Sequence, residues 1–159
     1  MNDHAEARTS DVMERYGEAL GLSQAGDRVG ARSRFDALWA EVGPAGDPLH
    51  RCAIAHAMAD VQEDVHDELA WDLLALGAAD ELTDERVADA GVTSPVASFY
   101  PSLHLNLGDA YRRLGQTEQA IEHVRLARAS LDTLPDDGYG ALVRSGIERL
   151  EARLEDAGG

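Results

Sequence analysis

The sequence contains no lysine: all 14 of its basic residues are arginine, against 30 aspartates and glutamates. The formal net charge at pH 7 is therefore −16. An excess of this sign repels phosphate backbones and anionic lipid surfaces, which argues against a nucleic-acid or membrane partner. It favours a basic peptide or a basic face of another protein. Solubility alone is the other explanation of the acidity.

Cysteine and long apolar runs are also scarce. Cys52 is the one cysteine, so the chain offers no intrachain disulfide and no cluster of thiol metal ligands, and we expect a buried structural residue. No stretch approaches the roughly 18 continuous apolar residues that a membrane helix needs. Residues 1–17 are polar and mixed in charge, unlike a secretory signal. The sequence therefore predicts a cytoplasmic protein.

Signals for β-strands are missing as well. Aromatic residues make up only 5% of the chain, and no segment alternates between apolar and polar side chains. No glycine-rich loop follows a strand, so the sequence lacks the usual phosphate-binding motifs. Its apolar residues are mainly alanine and leucine, which favour helices. The sequence predicts an all-α protein without a cofactor.

Helix breakers divide the chain into segments that look like paired helices. We expect a flexible segment at residues 1–8 and a single helical domain over 9–156. A polar insertion at about 79–95 interrupts it and holds at most a short helix over 84–89. The other predicted helices run over about 9–24, 28–42, 49–61, 65–76, 101–114, 117–134 and 139–156. The helix at 101–114 either starts at Pro101 or continues a helix that begins at Ser94-Pro95 and kinks at Pro101.

Residues 104–135 carry the clearest motif. Small, aromatic and apolar residues recur there at fixed intervals on two helices joined by a tight turn: Leu107, Gly108, Tyr111, Ala120, Val124 and, slightly late, Pro135. This spacing resembles the tetratricopeptide repeat, which is roughly 34 residues long. His104 stands where that repeat prefers tryptophan. We expect His104 and His123 to pack or to hydrogen-bond between the helices.

The same spacing occurs twice more, nearer the N-terminus. Two triplets match Tyr111, Ala120 and Val124: Leu22, Ala31 and Phe35, and then Val61, Ala70 and Leu74. Gly26 corresponds to the turn glycine Gly115, whereas Val65 holds this position in the middle copy. With gaps, the resemblance extends from Val12 to Leu134.

The resemblance implies an α-solenoid of about three helical hairpins with a C-terminal capping helix over 139–156. In this family the first helices of the hairpins line a concave groove, which binds an extended peptide or a partner helix. Transferred to this chain, the groove residues are Tyr16, His56, Asn106, Asp109, Arg112 and Arg113. The resemblance thus implies a non-enzymatic adaptor or regulatory module that binds a protein segment, and the net charge favours a positively charged one.

Relatives that capture a peptide's C-terminal carboxylate use lysine, asparagine and arginine in the groove. Only Asn106 and an arginine match here, and the lysines have no counterpart. An arginine such as Arg113 can still grip an acidic side chain of a partner.

Two other interpretations stay open. Gly146 lies within the apolar stripe of the last helix and would let a second copy approach closely, giving a homodimer. His56, Asp60 and Glu63 follow the i, i+4, i+7 spacing of one helix face and could bind a divalent metal or move a proton. No HExxH-type motif accompanies them.

Overall fold

The computed structural model describes residues 2–158, with the side chains of that range except those of residues 2, 3, 5–7, 9 and 10. All its regular elements are helices, which confirms the all-α class, and none of them is long and apolar enough to cross a membrane. The α-helices are α1 (Asn2–Gln24), α2 (Arg28–Val42), α3 (Pro48–Asp60), α4 (Val65–Asp80), α5 (Asp84–Asp89), α6 (Tyr100–Arg113), α7 (Thr117–Ala129) and α8 (Gly138–Ala157).

Two helices are longer than the sequence predicted. α1 begins at Asn2 rather than near Thr9, because no glycine or proline separates these positions. α4 continues through Gly77 to Asp80, past the predicted end at Leu76, since an isolated glycine is tolerated inside a helix.

The region of the predicted insertion, about 79–95, contains the short helix α5 as expected. The side chain of Thr83 caps it by accepting a hydrogen bond from a backbone amide of the first turn. Further on, α7 ends at Ala129 rather than near Leu134. The Ser130 hydroxyl donates back to the carbonyl oxygen of Ala127 at 3.3 Å, a local bond that competes with helix continuation.

The packing divides the chain into two compact units, Met1–Ala78 and Ala79–Gly159. In the first unit, α1 and α2 form a hairpin and α3 packs against both. In the second, α6 and α7 form a hairpin and α8 packs against both. The predicted single domain over 9–156 and the predicted flexibility of residues 1–8 stay predictions.

Each unit has its own hydrophobic core: α1, α2 and α3 supply the first, whereas α7, α8 and the segment between them supply the buried cluster of the second, with Leu105 and Tyr111 of α6 packed against it. The buried core of the first consists of Val12, Ala19, Ala31, Phe35, Leu38, Ile54, Ala57, Met58 and Val61. In the second, one cluster gathers Ala120, Val124, Ala127, Leu134, Val143, Ile147, Leu150 and Leu154. Gly108 of α6 borders this cluster, because a Cβ there would lie 3.0 Å from Cδ2 of Leu150 and 3.4 Å from the carbonyl oxygen of Ala120.

The turns of the two hairpins are built alike. Gly26 and Gly115 have φ angles of 88° and 75°, in the left-handed region that favours glycine. At the same offsets around them, matching backbone hydrogen bonds close both turns, with N–O distances of 2.9 Å for Asp27 to Leu22 and for Gln116 to Tyr111. Beyond the turns, matching positions are buried: Ala31 and Phe35, and Ala120 and Val124.

The middle triplet does not pack as predicted. Val61 is buried, but Ala70 is exposed and the Leu74 side chain is 47% exposed. No left-handed glycine reverses the chain here: Val61 has a φ of −104° and Asp64 accepts a hydrogen bond from the His66 amide at 2.8 Å. α4 therefore buries a different face from the one that the repeat spacing predicted.

Candidate ligand-binding sites

The six predicted groove residues fall into both units. Tyr16 and His56 belong to the first, whereas Asn106, Asp109 and the arginines at 112 and 113 belong to the second. Each set is therefore a separate candidate surface.

Asp109 in the second unit already binds the arginines that follow it on α6. Its Oδ1 accepts hydrogen bonds from Nε and Nη2 of Arg112 at 3.1 and 2.9 Å, and its Oδ2 accepts one from Nε of Arg113 at 2.9 Å. Arg153 of α8 lies 3.9 Å from the same carboxylate. Asn106 lies one helical turn before Asp109 and is half-buried. A partner carboxylate would have to compete with Asp109 for Arg113, so the predicted grip on an acidic side chain is disfavoured.

The predicted metal-binding trio does not come together. α3 ends at Asp60, so Glu63 lies beyond the helix and does not continue the face of His56. Glu63 is 79% exposed, and its carboxylate is 3.7 Å from Arg32. Among the side chains that the structure describes, no group of three or more from histidine, cysteine, aspartate or glutamate is arranged to hold a metal ion.

Asp72 of α4, which was not among the residues predicted from sequence, is completely buried. Its Oδ1 lies 3.8 Å from Nδ1 of His56, beyond hydrogen-bond distance. Neither carboxylate oxygen of Asp72, nor Nδ1 of His56, has a hydrogen-bond partner within the described part of the chain. Burying a carboxylate in this way is costly, which makes this position a candidate site.

Two further carboxylates, those of Asp60 and Glu68, influence this pair. We call the four residues the acidic cluster: His56, Asp60, Glu68 and Asp72. Burial raises the pKa of Asp72, and the charges of Asp60 and Glu68 raise it further against the opposing effect of His56. Burial alone would lower the pKa of His56, but Asp72 and Asp60 outweigh it and raise that pKa. Burial also raises the pKa of Asp60, with Glu68 adding to the effect. Asp60 and Asp72 thus act on one imidazole and Glu68 acts on both carboxylates, a concentration of negative charge that favours a cation.

Two neutral side chains border the acidic cluster. Cys52 precedes His56 by one turn of α3 and is buried, and burial raises the pKa of its thiol to about 12. This agrees with a structural cysteine, because the thiolate does not form near pH 7. Tyr16 of α1 packs on Phe35 with a ring-centroid distance of 5.9 Å. Burial and the nearby charge of Asp60 raise the pKa of Tyr16 to about 12, so its phenol also stays uncharged.

A ladder of four rings crosses the α6–α7 hairpin in the second unit. Nδ1 of His104 lies 3.0 Å from Nδ1 of His123, which confirms the expected interhelical hydrogen bond. Tyr100 stacks on His104 and Tyr111 stacks on His123, with ring-centroid distances of 5.8 and 5.3 Å. Burial and the charge of His123 lower the pKa of His104 to about 4, and burial lowers the pKa of His123. Both imidazoles are therefore neutral at pH 7.

Gly146 does allow a close approach, but within the chain. A Cβ at this position would lie 2.7 Å from Cδ2 of Leu105 on α6. The glycine is therefore already used in the packing of α8 against α6, and the predicted homodimer loses the surface on which it rested. Self-association through another surface stays a prediction.

No family model matches the chain, and comparisons with curated proteins and with solved structures find no match either.

Proposed function

We propose that the chain is a tetratricopeptide-like helical repeat protein that binds an extended segment of a partner protein and has no catalytic activity. One observation carries the proposal: α1–α2 and α6–α7 are hairpins with the same left-handed glycine turn, the same turn hydrogen bonds and the same buried positions. A third helix packs against both members of each hairpin. Stacked hairpins of this kind present extended binding surfaces, which in this proposal form a solenoid groove.

The distribution of charge supports a positively charged partner segment. In the second unit, the guanidinium groups of Arg112 and Arg113 are bound by Asp109. In the first unit, no described residue donates a hydrogen bond to the Asp72 carboxylate. Together with the net charge of −16, this favours attraction of basic segments and selection against acidic ones.

A peptide-display library tests the proposal. We expect the purified protein to enrich peptides rich in arginine and lysine, because the charge field favours them. Their affinity should fall as salt is added, since screening weakens attraction between exposed charges. The double variant Asp60→Asn/Glu68→Gln should weaken the enriched peptides by about tenfold, measured by calorimetry.

The matched control removes the same charge elsewhere. Asp36 on α2 and Glu118 on α7 are both exposed and lie outside the acidic cluster, so Asp36→Asn/Glu118→Gln should leave the affinity nearly unchanged. Enrichment of no peptide, or of acidic peptides only, would contradict the proposal. Self-association stays the alternative, and a mass that rises with concentration in light scattering would favour it.

A further inference from the structure

We propose that the acidic cluster of the first unit is the subsite for one arginine side chain of the partner segment, with the Asp72 carboxylate accepting its guanidinium group. The inference rests on the proposed function, because the arginine is presented by the segment that the protein binds. It adds the chemical identity of one side chain in that segment and the residue that recognises it.

The first argument is the state of Asp72. A fully buried carboxylate is nearly always satisfied by hydrogen bonds, but both oxygens of Asp72 lack them. A guanidinium group carries N–H donors in one plane and can bind both oxygens of a carboxylate at once. An ammonium group is a point charge that does not match this planar pair of acceptors. The two carboxylate oxygens of Asp72, which lack hydrogen bonds, therefore fit arginine better than lysine.

The second argument concerns access. The His56 side chain is 31% exposed, whereas Asp72 beside it is not exposed at all. The imidazole is thus the part of the pair that solvent reaches. Its Nδ1 has no hydrogen-bond partner among the described residues, so in this proposal the ring turns aside to admit the guanidinium group. Asp60, one turn further along α3, keeps part of its side chain exposed and adds negative charge beside His56.

The third argument is that, among the positively charged groups of the described residues, His56 alone acts on the Asp72 carboxylate. Arg28 is the arginine whose charge acts on Asp60, yet its Nη2 donates to the carbonyl oxygen of Gln62 at 2.8 Å. A metal ion is disfavoured, because the described side chains offer no set of three ligands. A guanidinium group needs only the carboxylate and its surrounding negative charge. Tyr16 adds an aromatic ring near Asp60 that suits a flat cation.

Two capped pentapeptides test the subsite directly: one has arginine between pairs of alanines, and the other has citrulline, the uncharged isostere, in its place. We expect the arginine peptide to shift the imidazole NMR signals of His56 in the intact protein. It should bind at least about tenfold more tightly than the citrulline peptide, as a charge-assisted bidentate contact requires. Equal affinities in the wild-type protein would overturn the proposal, whatever any variant does.

Variants then assign the contact to Asp72. In Asp72→Asn, the preference for arginine over citrulline should disappear, while Asp36→Asn should retain it. Circular dichroism checks that both variants are folded, and if Asp72→Asn does not fold, the wild-type comparison still decides. A preference that survives in folded Asp72→Asn would overturn the role of Asp72. If library peptides bind but the arginine peptide does not, the proposed function stands and this subsite is wrong.

Discussion

Replacing Gly140 with alanine should lower the free energy of unfolding by about 2 to 3 kcal/mol, one of the largest single-residue effects that we expect in this protein. Gly140 lies in the first turn of α8, where its amide donates to the Asp137 side chain at 2.9 Å. A Cβ there would lie 2.0 Å from the carbonyl oxygen of Pro135. That oxygen belongs to the backbone and cannot rotate away, so the start of α8 must shift.

Gly138 is the matched control for this substitution. It lies in the same turn of α8, and a Cβ on it would meet no atom within 4 Å. Gly138→Ala should therefore keep or slightly raise the stability, because alanine favours helix over glycine by up to about 1 kcal/mol. Urea denaturation followed by circular dichroism measures both variants. Equal stabilities of the two alanine variants would contradict the described packing of residues 135–140.

The hairpins could be predicted from sequence because their determinants are local. A left-handed glycine, such as Gly115, sits between two helical patterns and closes the turn through hydrogen bonds only a few residues apart. The small residues Gly108 and Ala120 then mark where the second helix comes close. Features of this kind depend on neighbours along the chain, so spacing alone identified them.

The rotation of α4 could not be predicted in the same way. The turn before α4 has no glycine to fix its direction. The repeat spacing predicted that Leu74 faces inward, whereas the structure exposes Leu74 and buries Asp72. A helical pattern with apolar residues on several sides has more than one possible inward face, and packing of other helices selects among them. For this reason the sequence predicts only part of the acidic cluster. Helical spacing indicates His56 and Asp60 on α3, but it does not indicate Asp72 on α4.

The packing contact of Gly146 and the ion pairs of the arginines likewise depend on residues that are far apart in sequence. Gly146 was correctly interpreted as a point of close approach, yet its partner Leu105 lies on α6, far away in sequence. The stripe of Asp109 and Arg113 followed from helical spacing, but Arg153 on α8 also approaches that carboxylate. Sequence spacing indicates which side chains share a face, whereas the groups opposite that face come from the tertiary fold.

Acidification from pH 7 to pH 4 should destabilise the protein by about 2 to 3 kcal/mol through His104 alone. Its pKa is about 4 in the folded state, below the ordinary value of 6.5, because of burial and the charge of His123. The unfolded chain therefore binds more protons than the folded one within this window. Stability from His104 is complete above pH 6.5 and is lost as the pH falls towards 4. Asp80 and Glu122 oppose the shift but do not cancel it.

The double variant His104→Phe/His123→Phe isolates this contribution, because phenylalanine retains a ring in the ladder without a titrating nitrogen. Its loss of stability between pH 7 and pH 4, from urea denaturation at each pH, should be smaller than that of the wild-type protein by about 2 kcal/mol or more. His66 is exposed at the start of α4, so His66→Ala should retain the wild-type loss. Apart from Glu122, whose pKa both histidines lower, the other groups with shifted pKa values are common to all three proteins. An equal loss in the double variant would show that the histidine pair does not set the acid sensitivity.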